Sequence, residues 1–189
     1  MINSIKNGFK DTYLRYSNIL NKYYPSHGST GFTERNLTNN FVAAMEKEIG
    51  EDCISWFEAP ISLDNKAHID AVIFTDDSTI LIEAKRFTSP ESKVNSVKSD
   101  MVRMHLSSSI ELLEAGLADK SQGRKRYSIV LADVWTENTA KRELFDNWPK
   151  CLSSDEFVYS DKISFGGLHS LGSWVNDYKL LIAVSEIKI

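Results

Sequence analysis

His68-Ile69-Asp70-Ala71-Val72-Ile73-Phe74 and Thr79-Ile80-Leu81-Ile82-Glu83-Ala84-Lys85 are two apolar runs separated by Thr75-Asp76-Asp77-Ser78. Both runs are rich in β-branched residues, and the Asp/Ser cluster between them is a turn signal, so the segment reads as a β-hairpin. A turn centred on Asp76-Asp77 pairs residue 75 with 78, 74 with 79, 72 with 81 and 70 with 83. Asp70 then opposes Glu83, and the two-residue period of a strand puts Lys85 on the same face. Directly opposed like charges destabilise an antiparallel pair, so this placement needs a compensating charge. Lys85 can neutralise one acid; a divalent cation can use both, because Mg²⁺ takes oxygen ligands, often one or two carboxylates completed by water and substrate phosphate. An ordinary solvated ion pair is the alternative. The neighbours argue against it: Ala71, Ile73, Ile80 and Ile82 fill one face, and Val72, Phe74 and Leu81 flank the charges on the other. That pattern belongs to a central strand pair covered on both sides.

Working outward, Thr33 is placed to cap a helix with the apolar stripe Leu37, Phe41, Ala44, Met45 and Ile49, ended by Gly50. Glu34 shares its buried face; an acid in a first turn also has a local explanation in the helix dipole. Glu48 lies on the same stripe and is a weaker candidate for the same role. Cys53 to Leu63 reads as a first strand, ending at Pro60 or slightly beyond. After the hairpin, Ser89-Pro90 starts a long helix from about Glu91 to Leu117, and Tyr127 to Trp135 is a buried strand. A strand, helix, strand succession predicts that this last strand runs parallel to the Glu83 strand. An amphipathic helix from about Ser4 to Tyr24 precedes this core, broken by Pro25 to Gly31. A helix marked by Ala140, Leu144, Phe145 and Trp148, and a closing strand from Tyr178 to Ile187, follow it. The glycine-rich segment Phe165 to Trp174 lacks the lysine and setting of a phosphate-cradling loop and reads as a surface loop.

Asp70 followed by Glu83-Ala84-Lys85 resembles the signature of the PD-(D/E)XK nuclease superfamily, an acid on one strand and D/E-X-K on the next. Ile69 stands where the name-giving motif has proline. The resemblance implies an α/β protein with a restriction-endonuclease-like αβββαβ core at about residues 33 to 135, a central mixed sheet flanked by helices. Residues 1 to 31 would be an N-terminal helical extension, and 136 to 189 a C-terminal helix and strand of the same domain. It implies a metal-dependent nuclease hydrolysing phosphodiester bonds, DNA before RNA, of restriction or repair type. Asp70, Glu83 and Lys85 would be catalytic, with Mg²⁺ (Mn²⁺ able to substitute) held by Asp70, Glu83, the Ala84 carbonyl and Glu34. Lys85 would assist the attacking water. The lack of a separate recognition domain is compatible with a homodimer cutting two strands by symmetry, and equally with a monomeric nicking or repair enzyme. The rival reading is a non-catalytic nucleic-acid-binding or assembly module that keeps the fold, since fold alone does not settle activity.

At 189 residues the chain suits one domain, and a formal charge of −4 leaves nucleic-acid contact to local patches. The most basic short stretch is the loop before the Tyr127 strand, with Arg124, Lys125 and Arg126; Lys98, Arg103 and His105 lie on the long helix. Each is a candidate for a phosphate, against the plainer reading of a solvated turn or helix face. The two cysteines, Cys53 and Cys151, have neither metal nor redox spacing. The N-terminal stretch carries no signal-peptide pattern, and no apolar run is long enough to span a membrane, so a soluble cytoplasmic protein is expected.

Overall fold

The computed structural model describes residues 1–22, 33–64, 66–118, 123–152, 157–165 and 178–189. Its helices are α1 (Ile2–Lys22), α2 (Glu34–Ile49), α3 (Pro90–Met104), α4 (Ser107–Glu114) and α5 (Thr139–Asp146). Its strands are β1 (Cys53–Pro60), β2 (His68–Thr75), β3 (Ser78–Arg86), β4 (Lys125–Trp135), β5 (Tyr159–Ser164) and β6 (Tyr178–Glu186). The strands form one open mixed sheet in the order β1-β2-β3-β4-β6-β5. Only β3 and β4 pair in parallel; the other neighbours are antiparallel.

Alternation along β2 and β3 divides the core in two. Ala71, Ile73, Ile80, Ile82 and Ala84 point to a layer made by Ile5, Phe9, Tyr16 and Leu20 of α1 and Leu37, Phe41 and Met45 of α2. Val72, Phe74 and Leu81 point the other way, against Val97, Met101 and Met104 of α3, Ile110 of α4 and Leu144 of α5. Burying each such side chain fully contributes about 1.5–3 kcal/mol, so β3, buried from Ser78 to Ala84, is anchored from both sides. The hairpin has the expected register: Val72 opposes Leu81 and Phe74 opposes Thr79.

Local signals set the ends of α2. Thr33 accepts a hydrogen bond from the Asn36 N–H at 3.2 Å, and Gly50 closes the helix with φ of 90°. Close approach of α1 and α2 requires Gly8, where a Cβ would fall 2.5 Å from Met45 Sδ.

The long helix expected from Glu91 to Leu117 is two helices. His105 ends α3, and its Nε2 lies 2.7 Å from Ser128 Oγ on β4. Leu106 is extended (φ −70°, ψ 129°), and the Ser107-Ser108-Ser109 run that follows opens α4 in a new direction. Serine is a weak helix former in a helix interior and suits a helix start, which is why the break falls here. α4 packs towards β1, where Ser109 Oγ donates to the Ile61 carbonyl at 3.3 Å.

The C-terminal strand lies inside the sheet, with β6 between β4 and the unanticipated β5. β5 offers the sequence reader little, because Ser160, Asp161 and Lys162 interrupt any apolar alternation; such charge is usual on an edge strand. The helical extension α1 is equally part of the core. Among the described residues no helix is long and apolar enough to cross a membrane. The part of the glycine-rich segment that follows Phe165, including His169 and Trp174, lies outside the described residues.

Candidate functional site

Three strands part company around Asp70. The β2–β3 ladder ends at Ala71 and Ile82, one step short of Asp70 and Glu83. Ile69 packs in the same layer as Val72, so the alternation of β2 does not run unbroken through Asp70, and the expected placement of the two acids on one face is not carried by the ladder. In place of the next backbone bond, Asp70 Oδ2 accepts the Ala84 N–H at 2.7 Å. A strand residue directs its N–H and C=O to the same side, so the Ala84 carbonyl also points to this opening. The β1–β2 pairing skips the same position, running from Phe57 opposite Ala71 to Ala59 opposite Ile69. Glu58, which would oppose Asp70, has φ of 51°, an uncommon left-handed conformation for a residue other than glycine. A cleft of about 350 Å³ opens there, lined by Glu34, Thr38, Phe57, Glu58 and Asp70 among others.

On the other side of Asp70, Glu83 is 5% exposed and Lys85 Nζ lies 2.5 Å from its Oε1. The same ammonium lies 3.1 Å from Oδ2 of Asp100 on α3, and Arg103 pairs with the Asp100 Oδ1. Four charged side chains from β3 and α3 thus form a continuous chain, Glu83 to Lys85 to Asp100 to Arg103.

Electrostatics separate the two acids from ordinary surface carboxylates. Burial, then the neighbouring Asp70 charge, push the Glu83 carboxyl well above the usual range, against the opposing effect of Lys85. Asp70 is also raised, first by burial, with Glu34 and Glu58 adding to it; the Ala84 N–H opposes the shift, and Lys85 acts on Asp70 through its charge alone. For Lys85, burial works against the charged form, yet Glu83 and Asp100 hold the ammonium above the ordinary lysine value.

Glu34 stands at this opening but is already engaged. Its Oε1 accepts from the Arg86 N–H and from Lys93 Nζ, each at 2.9 Å, tying α2 to β3 and α3. Burial raises its pKa; these two partners outweigh that and lower it overall. Glu48 is elsewhere, accepting from Asn7 Nδ2 at 2.8 Å.

The basic loop lies at the opposite end of the sheet. Lys125 is level with Ser78, five residues from Glu83, about 17 Å at the usual rise of a strand. Arg124 is buried and clamps the hairpin turn: Nε donates to Thr79 Oγ1, Nη1 to the Asp76 carbonyl, and Nη2 to the carbonyls of Thr75 and Ser78. Arg126 makes a two-pronged pair with Glu114 at 2.9 and 2.8 Å. Lys125 and Lys98 are exposed, and Arg103 is partly exposed beside Asp100.

Sequence reading missed Asp100 and Glu58. Asp100 interrupts the buried stripe of Val97, Met101 and Met104, and a charge at such a position was its available signal. Glu58 follows Ile54 and Trp56 at two-residue spacing, but nothing in that alternation foretells its φ. A further buried acid, beyond Glu83 and Asp100, lies on the α1/α2 face. Asp133 pairs in register with Arg86, accepts from the Tyr178 hydroxyl at 2.8 Å, and is pushed up to about 7, chiefly by burial.

Among the described residues no group of three or more His, Cys, Asp or Glu side chains is gathered closely enough to hold a metal ion. A cation here would therefore rest on two carboxylates and a backbone carbonyl, a donor set that suits a hard ion keeping water and substrate oxygens. Comparison with protein-family models, with curated protein sequences and with solved structures finds no match for this chain.

Proposed function

We propose that the chain is a divalent-metal-dependent phosphodiesterase of the PD-(D/E)XK type, acting on nucleic acid, DNA before RNA. The observation that carries the reading is the opening between β2 and β3, where the Asp70 charge raises the pKa of Glu83 and Lys85 pairs with Glu83 and acts on Asp70 through its charge. Two carboxyl groups held above their ordinary pKa at a strand opening are a configuration that a cation relieves. The element order from α2 to β4, helix, three strands, helices and a parallel strand, is compatible with a restriction-endonuclease-like core.

Asp70 and Glu83 would hold Mg²⁺ or Mn²⁺, with the Ala84 carbonyl as a third donor; Glu34, on α2, lines with Asp70 a cleft to which Glu83 does not contribute, and would join through water. The bound ion would supply positive charge against the phosphoryl and leaving oxygens and make water more acidic. Lys85, kept protonated by Glu83 and Asp100, is suited to orient water and oppose negative charge on the phosphoryl group, and poorly suited to accept a proton. Phosphate contact away from the centre would fall to Lys98, Arg103 and Lys125, whereas Arg124 and Arg126 direct their donors to the turn and to Glu114.

A second reading has its own support. The chain from Glu83 to Arg103 is internally paired, as a purely structural network in a non-catalytic binding or assembly module would be. Incubation with supercoiled, linear and single-stranded DNA and with RNA, at graded Mg²⁺ and Mn²⁺ and with chelator, separates the two. Metal-dependent cleavage that disappears in Asp70→Ala and Lys85→Ala supports the enzyme; no cleavage of any substrate together with no metal binding leaves the structural module.

A further inference from the structure

Asp100 is a buried acidic side chain set into an apolar helix face, and desolvating a carboxylate there is costly unless it is paired. It is paired on both oxygens, with Arg103 on Oδ1 and Lys85 on Oδ2. Lys85 is itself divided between two elements: Glu83 on its own strand at 2.5 Å and Asp100 on α3 at 3.1 Å. An ammonium carries three donors on a flexible stem, so it can lean towards either carboxylate without leaving the site. Arg103 occupies the far oxygen of Asp100, which keeps that acid directed at the lysine.

We propose that Asp100 is a positioning residue that retains Lys85 while Glu83 turns to a divalent cation. The inference rests on the reading of Asp70 and Glu83 as the cation-holding pair. With one carboxylate as its partner, Lys85 would lose its counter-charge when that carboxylate engages a cation, and a 13% exposed ammonium would be left beside a like charge. With Asp100 present, Lys85 keeps an ion-pair partner whose Oδ2 is 3.1 Å away and otherwise without a hydrogen bond, ready to take the lysine as Glu83 is released. The lysine then stays at the opening in a fixed orientation, where the proposed chemistry needs it. Asp100 thus acts through Lys85 and touches neither the cation nor the substrate.

The test is calorimetric titration of the whole chain with Mn²⁺ alone, without nucleic acid. Asp100→Asn should weaken binding by about tenfold, within the range of couplings between contacting charged groups, and Asp100→Glu should recover most of the loss. In a Lys85→Met background the Asp100→Asn change should have little effect, because no ammonium needs a second partner; Lys85→Gln serves as that background should the methionine variant fail to fold. Equal weakening with and without Lys85 would show a plain through-space charge effect and overturn the inference, as would unaltered binding in Asp100→Asn. Absence of Mn²⁺ binding by the unaltered chain would instead remove the proposed function, and this inference with it.

Discussion

The pairing of Val72 with Leu81 and of Phe74 with Thr79 was legible because a short turn fixes the hairpin register, but that register stops one step short of Asp70 and Glu83. What the sequence could not supply was their surroundings: the end of the ladder at Ala71 and Ile82, the Glu58 backbone, and Asp100 arriving from a distant helix. Cation binding requires ionised carboxylates, and Glu83 is held above its ordinary pKa, so divalent-ion affinity should strengthen as pH rises through the raised value and then level off. Calorimetry across that range checks it; affinity that falls with rising pH would contradict it. Lys85→Arg should not substitute for Lys85, because a planar guanidinium cannot reproduce a compact ammonium between two carboxylates, and cleavage should fall on the order of 10²-fold. Arg124 offers a stability test away from the site. Replacing it with Ala removes the clamp on three hairpin-turn carbonyls, and urea unfolding should report a loss of about 3 kcal/mol.

Elements with strong periodicity were readable, and those without it were not. β2, β3 and β4 carry apolar runs that only a doubly covered strand explains, and α2 has both its cap and its stop in the sequence. β5 has no such run, and the break between α3 and α4 is marked locally only by the serines Ser107 to Ser109, while the contact from His105 to Ser128 that accompanies it is long-range. The α1–α2 contact also depends on a detail invisible in periodicity, the space left by Gly8. Gly8→Val should drive a side chain into Met45 and destabilise the protein by about 1–3 kcal/mol in chemical denaturation, despite valine's better helix propensity than glycine's. No loss of stability would mean that the two helices are not packed as closely as Gly8 implies.

At the scale of the whole molecule, one six-stranded sheet separates two apolar layers, and the site occupies the place where three of its strands diverge. The N-terminal helix and the C-terminal strand, which the reading of residues 33 to 135 left outside the core, complete it instead. Their placement was illegible because it depends on long-range pairing. Buried acids give the molecule a pH dependence that can be derived. Burial pushes Asp133 up to about 7 when folded, against 3.8 for an ordinary aspartate, so the folded state binds more protons between those values. Its stabilising contribution is complete below the lower value and is lost as pH rises through the higher, at no more than about 1.4 kcal/mol per pH unit. Asp133→Asn should flatten that decline in unfolding free energy, leaving a residual slope of the same sign from Asp70 and Glu83. The central claim, a cation held by Asp70 and Glu83 for phosphodiester hydrolysis, is tested most directly by nicking of supercoiled DNA as Mg²⁺ is titrated, comparing the unaltered chain with a folded Asp70→Asn variant. Cleavage should rise with Mg²⁺, stop on chelation and be lost in the variant; nicking that persists in Asp70→Asn, or that ignores the chelator, would contradict cation-dependent hydrolysis at these residues.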